Sequence, residues 1–476
     1  MTDEDDTSSR LLDEDGRLFG LVNIVDLLVV LLLVAVVAAG IVLLLPDDTE
    51  TETRYATFEL GPQSDSIAEE ISEGDTWEPD GTSDTLEITD VYRYNTEDGT
   101  NVMVRAALNG TLIEGEEESR FEFLDDLVRI GDEHTIVTDE YEVTGEVTQF
   151  EAAGDSLPTT DAEFVLETSL ASGTAEELAA GDTFTAGGET VAEIESLNRF
   201  PDGDDEYVLV GLSATALDRA GTNLIGNTRI SIGESVSFDG DGYSFDGEII
   251  RRGSAEIATE EREFVIQTDV DSSTADDLEV GDSFTLGETP LVTVEEVTTY
   301  ATGNGDTRTA VLGVEALTRT EGERSLFGTE ELRVGSSLPL VTEAYDIDGE
   351  ITRRGNLEQA GTEQTQTVTM ELDNVRPSLA DQLVRGLTEE SSDHTTAELT
   401  TVETEPAEVI LESDDGNIFS REHPTNKDVE LTVDLTVREK ADGTLTFRTE
   451  TLRTGDTVPL ELGSITITPE VSSIDS

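Results

Sequence analysis

Four stretches of this chain align without a gap: FELGPQSDSIAEEISEGD (58–75), VLETSLASGTAEELAAGD (165–182), VIQTDVDSSTADDLEVGD (265–282) and MELDNVRPSLADQLVRGL (370–387). Gly74, Gly181, Gly281 and Gly386 coincide. Ala68, Ala175, Ala275 and Ala380 stand six residues before them, and Ile71, Leu178, Leu278 and Leu383 three before. Each stretch opens with alternating apolar residues, the period of a strand, and passes into about eight residues of helical character. Ser66, Ser273 and Ser378 occupy the place of a helix N-cap, and the shared glycine the place where a helix stops. The reading is strand, short helix, glycine, in four copies.

A second set of markers closes each copy. Gly131, Gly233, Gly335 and Gly455 are followed ten residues later by Tyr141, Tyr243, Tyr345 and Ile465, and fifteen later by Glu146, Glu248, Glu350 and Glu470. Gly145, Gly247 and Gly349 give way to Pro469 in the last copy. The units therefore run over 55–150, 161–253, 262–355 and 366–471, joined by short polar linkers such as EAAGDSLPTT (151–160) and GNLEQAGTEQT (355–365). Alternation in EYVLVGLSATA (206–216), TAVLGVEAL (309–317) and VELTVDLTVRE (429–439) marks strands. The second unit opens twice in the same way, at Gly181-Asp182 and Gly233-Glu234. Two similar halves with few edges predict a mainly β unit, a small closed barrel or a sandwich, with one short helix.

Ahead of the repeats lies LLVVLLLVAVVAAGIVLLL (27–45), apolar throughout except for one glycine and flanked by Asp26 and Pro46-Asp47-Asp48. At about 1.5 Å per residue it covers roughly the 30 Å of a bilayer core. It exceeds the roughly 7–15 residues of a secretory h-region, so an uncleaved anchor over 22–46 is expected rather than a removed signal peptide. Arg10 and Arg17 precede it, and the first positive charge after it is Arg54. That bias puts the segment 1–21 in the cytoplasm and the repeats outside the cell membrane.

Asp and Glu number 108 against 27 Lys and Arg, a formal charge of −81, and the only lysines are Lys427 and Lys440. Self-repulsion of that size opposes compaction in dilute buffer, whereas near 1 M salt the Debye length falls to about 3 Å. The composition is that of a halophile's protein. It offers no basic patch to release phosphate counterions, so nucleic acid is not an expected partner. With no cysteine in the chain, disulfides, thiolate nucleophiles and cysteine metal sites are excluded.

Gly16-Arg17-Leu18-Phe19-Gly20, followed by Asn23 and Asp26, forms a G-R-L-F-G…N-x-x-D opening before the apolar run. It resembles the start of domain-of-unknown-function family 4330, here of haloarchaeal type, whose members look like single-pass membrane proteins. The resemblance implies a topology and no mechanism.

Candidates for chemistry are sparse. His134, His394 and His423 fall at unrelated positions of the repeats, without the convergence that zinc or a triad requires. Asp239-Gly240-Asp241 with Asp246 and Glu248 brushes a calcium-loop pattern, but its counterparts VTDE (137–140) and VTEA (341–344) mark a hairpin turn. The recurrent glutamates suit structural hydrogen-bonding or an exposed strand face rather than catalysis. Arg251-Arg252 and Arg353-Arg354 recur in the middle units, either bridging to carboxylates or meeting an anion or partner. Asn109-Gly110-Thr111 is a glycosylation sequon. No cofactor, metal or catalytic residue is expected.

One anchor, repeated domains and no catalytic constellation predict an extracytoplasmic structural or interaction protein of the cell envelope, bound to an envelope protein partner. VGDSFTLG (280–287) and LFGTEELRVG (326–335) also look like the barrels of Mce-type lipid-transport domains. That resemblance implies an oligomeric carrier of lipids or other apolar molecules.

Overall fold

The computed structural model describes residues 51–475 except 97, 114–119, 241, 323, 392–393 and 413–417, and before residue 51 only 17–18 and 22–23. The apolar run Leu27–Leu45 lies outside the described residues. Among those described, no helix is long and apolar enough to cross a membrane. Arg17–Leu18 pairs antiparallel with Val22–Asn23, so the two residues taken as the start of the anchor are extended rather than helical.

Four antiparallel sheets follow in tandem. In the second, the hydrogen-bonded order is Thr183–Ala186, Glu189–Asp202, Asp205–Asp218, Thr159–Ala171, Ser244–Arg252 and Ser235–Asp239. The first and third, spanning Thr51–Glu151 and Thr259–Arg354, repeat that order. The fourth keeps Thr388–Ser391, His394–Glu412, Ile418–Glu439, Thr362–Val375 and Glu470–Ile474, while Leu460–Leu462 and Ile465–Ile467 pair as a separate hairpin.

Bulges recur at fixed places, as between Ile194 and Ser196, Val294 and Glu296, and Leu399 and Thr401. Each bends its strand and adds twist, so every sheet curls into a half-barrel around one apolar core. The expected closed barrel is not formed. Among the described residues the outer strands Thr183–Ala186 and Ser235–Asp239 share no ladder.

Each repeat's helix is shorter than the sequence suggests: Asp65–Glu70, Ser172–Ala175, Ser272–Asp277 and Pro377–Ala380. The cap positions are Ser64, Ala171, Asp271 and Arg376, which puts Ser66, Ser273 and Ser378 inside the first turn. Only Asp271 caps with its side chain, accepting from the Thr274 amide at 2.8 Å. The helix needs one turn to carry the chain across the end of the half-barrel, and its buried residue is Ala68, Ala175 or Ala380. The aliphatic three residues before the glycine, Ile71, Leu178, Leu278 or Leu383, is also buried. Each such side chain contributes roughly 1.5–3 kcal/mol.

The shared glycine is not the helix stop. The second helix-bearing segment shows why: the helix ends at Ala175, whereas Gly181 lies at φ 92° and donates its amide to the Ile194 carbonyl at 2.7 Å. It is a corner that returns the chain to the sheet. Gly233 makes the same corner in the other half of the repeat, at φ 90°, bonding Ile249 at 2.8 Å. A left-handed φ at both corners selects glycine.

By contact the chain divides into two compact units, Met1–Tyr92 with Asn101–Leu157, and Arg93–Thr100 with Pro158–Ser476. The first holds its own core around Phe58, Ile88, Val104 and Phe123. The second contains three cores.

Candidate functional site

The polar chemistry of the second unit is concentrated where one repeat meets the next. In the third repeat's core, Phe264, Leu312 and Leu338 are joined by Phe200, Tyr207 and Leu209 from the second repeat. Phe200 sits at the end of the hairpin formed by Glu189–Asp202 and Asp205–Asp218 and is fully buried. Its ring meets Phe327 edge-on at a centroid distance of 5.5 Å. A Cβ at Gly328, φ 61°, would stand 3.0 Å from the Cβ of Phe200. Glycine is needed there twice over, for its left-handed backbone and for the aromatic against it.

Tyr94, on the 93–100 segment, packs in the same way against Gly226, φ 58°. Asn95 donates to the Thr185 carbonyl at 2.8 Å, and Arg93 lies 3.9 Å from Glu189.

Charge is paired beneath these contacts. Arg199 forks onto Glu206 through Nε at 2.6 Å and a terminal nitrogen at 2.9 Å, both side chains at most 10% exposed. Such a bidentate pair is strong, and costly to break one partner at a time. Glu167 accepts from the Tyr207 hydroxyl at 2.5 Å and faces Arg319 at 3.8 Å. The Arg319 guanidinium also lies over the Tyr207 ring, 5.4 Å from its centroid. Burial, then the hydrogen bond to Glu167, pushes the Tyr207 phenol above its ordinary range.

Between the third and fourth repeats the position of Gly226 and Gly328 is taken by Arg448, also left-handed at φ 57°. Its terminal nitrogen bonds both oxygens of Glu389 at 2.7 Å and the Pro459 carbonyl at 2.9 Å. Glu389, 2% exposed, also accepts from Thr396 at 2.7 Å and from the Glu461 amide at 2.7 Å. Arg308 reaches Glu461 at 3.0 Å. Ser391 donates to the Thr299 carbonyl, and Tyr300 to Gln359 at 3.1 Å.

The repeat markers have a structural task. Tyr141, Tyr243 and Tyr345 donate their hydroxyls to Asp75, Asp182 and Asp282 at 2.5, 2.8 and 2.5 Å. Each aspartate directly follows a marker glycine, Gly74, Gly181 or Gly281, so the bond ties one corner of the half-barrel to the facing hairpin. Burial and the aspartate acceptor raise all three phenols. In the fourth repeat both partners change together, to Leu387 after Gly386 and to Ile465, a polar pair replaced by an apolar one.

Arg251 donates to the Glu256 carbonyl at 2.9 Å, and Arg353 to the Glu358 and Gln359 carbonyls at 2.7 and 3.2 Å. These arginines brace the linkers after repeats two and three. The linkers are accordingly packed: Ala255 is buried and accepts a hydrogen bond from Ser196 at 2.5 Å. Arg252 pairs across the ladder with Phe164 and is exposed, and Arg354 lies 3.5 Å from Ser325.

Asn109 is half-buried within the strand Gly99–Ile113, not in a loop. The recurrent glutamates Glu146, Glu248, Glu350 and Glu470 are exposed. His134 stacks edge-on to Phe58 at 6.2 Å, His394 opens a strand, and the His423 Nδ1 accepts from the Asn426 amide at 2.8 Å. Among the described residues no three His, Asp or Glu side chains converge as a metal site would require.

Sequence reasoning missed the aromatic–glycine junctions and one exposed feature. Ile130, Ile232 and Val334 stand directly before aligned marker glycines and are 68%, 69% and 61% exposed. The signal was present in the alignment of VRIGD, ISIGE and LRVGS, where an aliphatic recurs at a corner that cannot bury it.

The family model described as Domain of unknown function (DUF4330) matches residues 10–64. The match takes in the Gly16–Gly20 opening, the apolar run and the first strand of the first repeat, Thr51–Gln63. No curated protein matches the chain.

Proposed function

We propose that this chain is a scaffold of a halophile's cell envelope, anchored by residues 22–46 with its amino terminus in the cytoplasm and its four β repeats outside, and that it works by binding an envelope protein rather than by catalysis. The observation that carries the reading is the junction set. In the second unit Phe200 against Phe327 and the pairs Arg319–Glu167 and Arg308–Glu461 join repeat to repeat, and the half-barrels are filled by apolar side chains, the third partly by those of the second repeat. Locked repeats display copies of one face at fixed intervals, the arrangement that repeat proteins use for extended recognition. The exposed Ile232 and Val334 are such copies. The apolar run, the match to residues 10–64 and the excess of acid over base support the anchor and the saline setting.

The test is native mass spectrometry of the full chain extracted from membranes in mild detergent and molar salt, with protease treatment of intact cells. The scaffold reading expects repeats cleavable from outside and particles without bound lipid. A ring-sized, lipid-bearing oligomer would replace it with a carrier of apolar molecules. A hydrolase or transferase activity abolished by one substitution would replace it with an enzyme.

A further inference from the structure

We propose that the junction of the third and fourth repeats holds a small oxyanion, of the phosphate or carboxylate class, in a cleft of about 150 Å³. Its lining includes Arg353, Lys440 and Arg448 with the donors Gln267, Thr352 and Thr449. Among the described residues no carboxylate lines it. In a chain with 108 acidic and 27 basic residues, a concave site with three cations and no acid departs sharply from composition.

The neighbouring junction supplies the comparison. Gln267 stands fourteen residues before Gly281, as Glu167 stands before Gly181. Between the second and third repeats, Glu167 meets Arg319 at 3.8 Å, so the cation is answered from within the protein. Between the third and fourth, the aligned residue is a neutral amide whose nitrogen touches only the Thr449 hydroxyl at 3.5 Å. The carboxylate at this position has become a neutral amide, while Arg448 keeps Glu389, outside the lining, as its counter-charge and Arg353 bonds the linker carbonyls.

A second observation points to an occupant. The Arg448 side chain is nine-tenths buried, and its Nε is buried without a hydrogen-bond partner. Glu389, outside the cleft lining, satisfies a terminal nitrogen and leaves that donor unused. A buried unmet donor of a charged group is costly to leave unpaired. An oxyanion accepts from several donors at once through charge-assisted bonds, which a single water cannot do. Lys440 also feels the exposed Asp442, whose carboxyl is held low first by hydrogen bonds from Thr444 and then by that lysine. Its stem leaves the ammonium free to turn toward a bound anion.

The experiment is calorimetric titration of the full detergent-solubilised chain with inorganic phosphate, replacing chloride at constant ionic strength and pH. Thermal unfolding is followed in parallel, on the unmodified chain and on Gln267→Glu and Lys440→Ala. Gln267→Glu restores the carboxylate found at the other junction, and Lys440→Ala removes an exposed cation with little risk to folding. The expected result is saturable binding and a rise in unfolding temperature for the unmodified chain, weakened at least tenfold in both variants. Absence of an effect of both phosphate and acetate in the unmodified chain, or an undiminished effect in either variant, would overturn the site. Acetate in place of phosphate separates the two members of the class: binding of acetate alone assigns a carboxylate ligand, and binding of phosphate assigns a phosphate.

Discussion

Glu389→Ala is the sharpest perturbation of the fourth repeat. The carboxylate is 2% exposed and receives Arg448, Thr396 and the Glu461 amide, each at 2.7 Å. Deleting it strands a nearly buried guanidinium, and breaking one partner of a buried pair costs about 3–5 kcal/mol. Arg448→Gly restores the residue found at Gly226 and Gly328. It relieves a left-handed side chain worth about 1–2 kcal/mol and leaves Glu389 with two donors, so it should cost less. The double variant has neither the stranded cation nor the strain, and its loss should fall about 2–3 kcal/mol short of the sum of the single losses. A chain of several repeats does not unfold in one step, so a global midpoint would blur this difference. Hydrogen exchange of amides in Thr362–Val375 and Ile418–Glu439 resolves it locally. Exchange there should accelerate by about 10²- to 10³·⁵-fold in Glu389→Ala, at about 1.4 kcal/mol per tenfold, and by clearly less in the double variant. Additive losses would show that the pair is not coupled and that the reasoning about this junction is wrong.

Gly328→Ala should cost about 1–3 kcal/mol, from its φ of 61° and the Phe200 Cβ at 3.0 Å, read as faster exchange in both Glu189–Asp202 and Arg324–Phe327. Exchange in Glu189–Asp202 unchanged from that of the unmodified chain would refute the junction. The raised phenols of Tyr141, Tyr243 and Tyr345 stabilise the fold fully below the unfolded tyrosine pKa of about 10, and that contribution declines as pH rises beyond it toward the higher folded values. Unfolding temperature should therefore drop above about pH 10. Replacing the three by phenylalanine should flatten the drop and lower stability at neutral pH; a drop of the same size in the triple variant would assign it elsewhere. With a formal charge of −81, the unfolding temperature should climb from dilute buffer to molar potassium chloride as repulsion is screened. A midpoint independent of salt would contradict the halophilic reading.

The repeats were legible because their markers are set by local physics. A corner at φ near 90° admits little but glycine, and the tyrosine that reaches the following aspartate must recur at a fixed distance. The curl was not legible, because bulges such as that between Ile194 and Ser196 leave the alternation on either side intact and only shift its phase. A glycine after a helical pattern is the usual stop signal, whereas here a turn of several residues intervenes between the helix and the glycine. The arginine pairs were legible as unusual but not as braces. Their acceptors are backbone carbonyls of linkers, as with Glu256 and Glu358, and a carbonyl has no residue type to read.

The outer repeats differ from the inner ones at the positions that make the junctions. The left-handed residue seven before the second marker glycine is Gly226 and Gly328 in repeats two and three, but Leu124 and Arg448 in repeats one and four. The aromatic nineteen residues after the first marker glycine, Phe200 and Tyr300, becomes Glu405 in the last repeat. On the outer face of the first repeat a leucine replaces the glycine that receives an aromatic elsewhere, and on the outer face of the last a glutamate replaces the aromatic and cannot be buried unpaired. The first and last repeats therefore lack the surfaces by which the inner ones would recruit another copy, as capping repeats do in other arrays. Such capping disfavours head-to-tail polymerisation through the aromatic–glycine contact. On the proposed scaffold function, recognition then falls to what the repeats expose, the corners at Ile130, Ile232 and Val334, and to the proposed anion cleft beside Arg448.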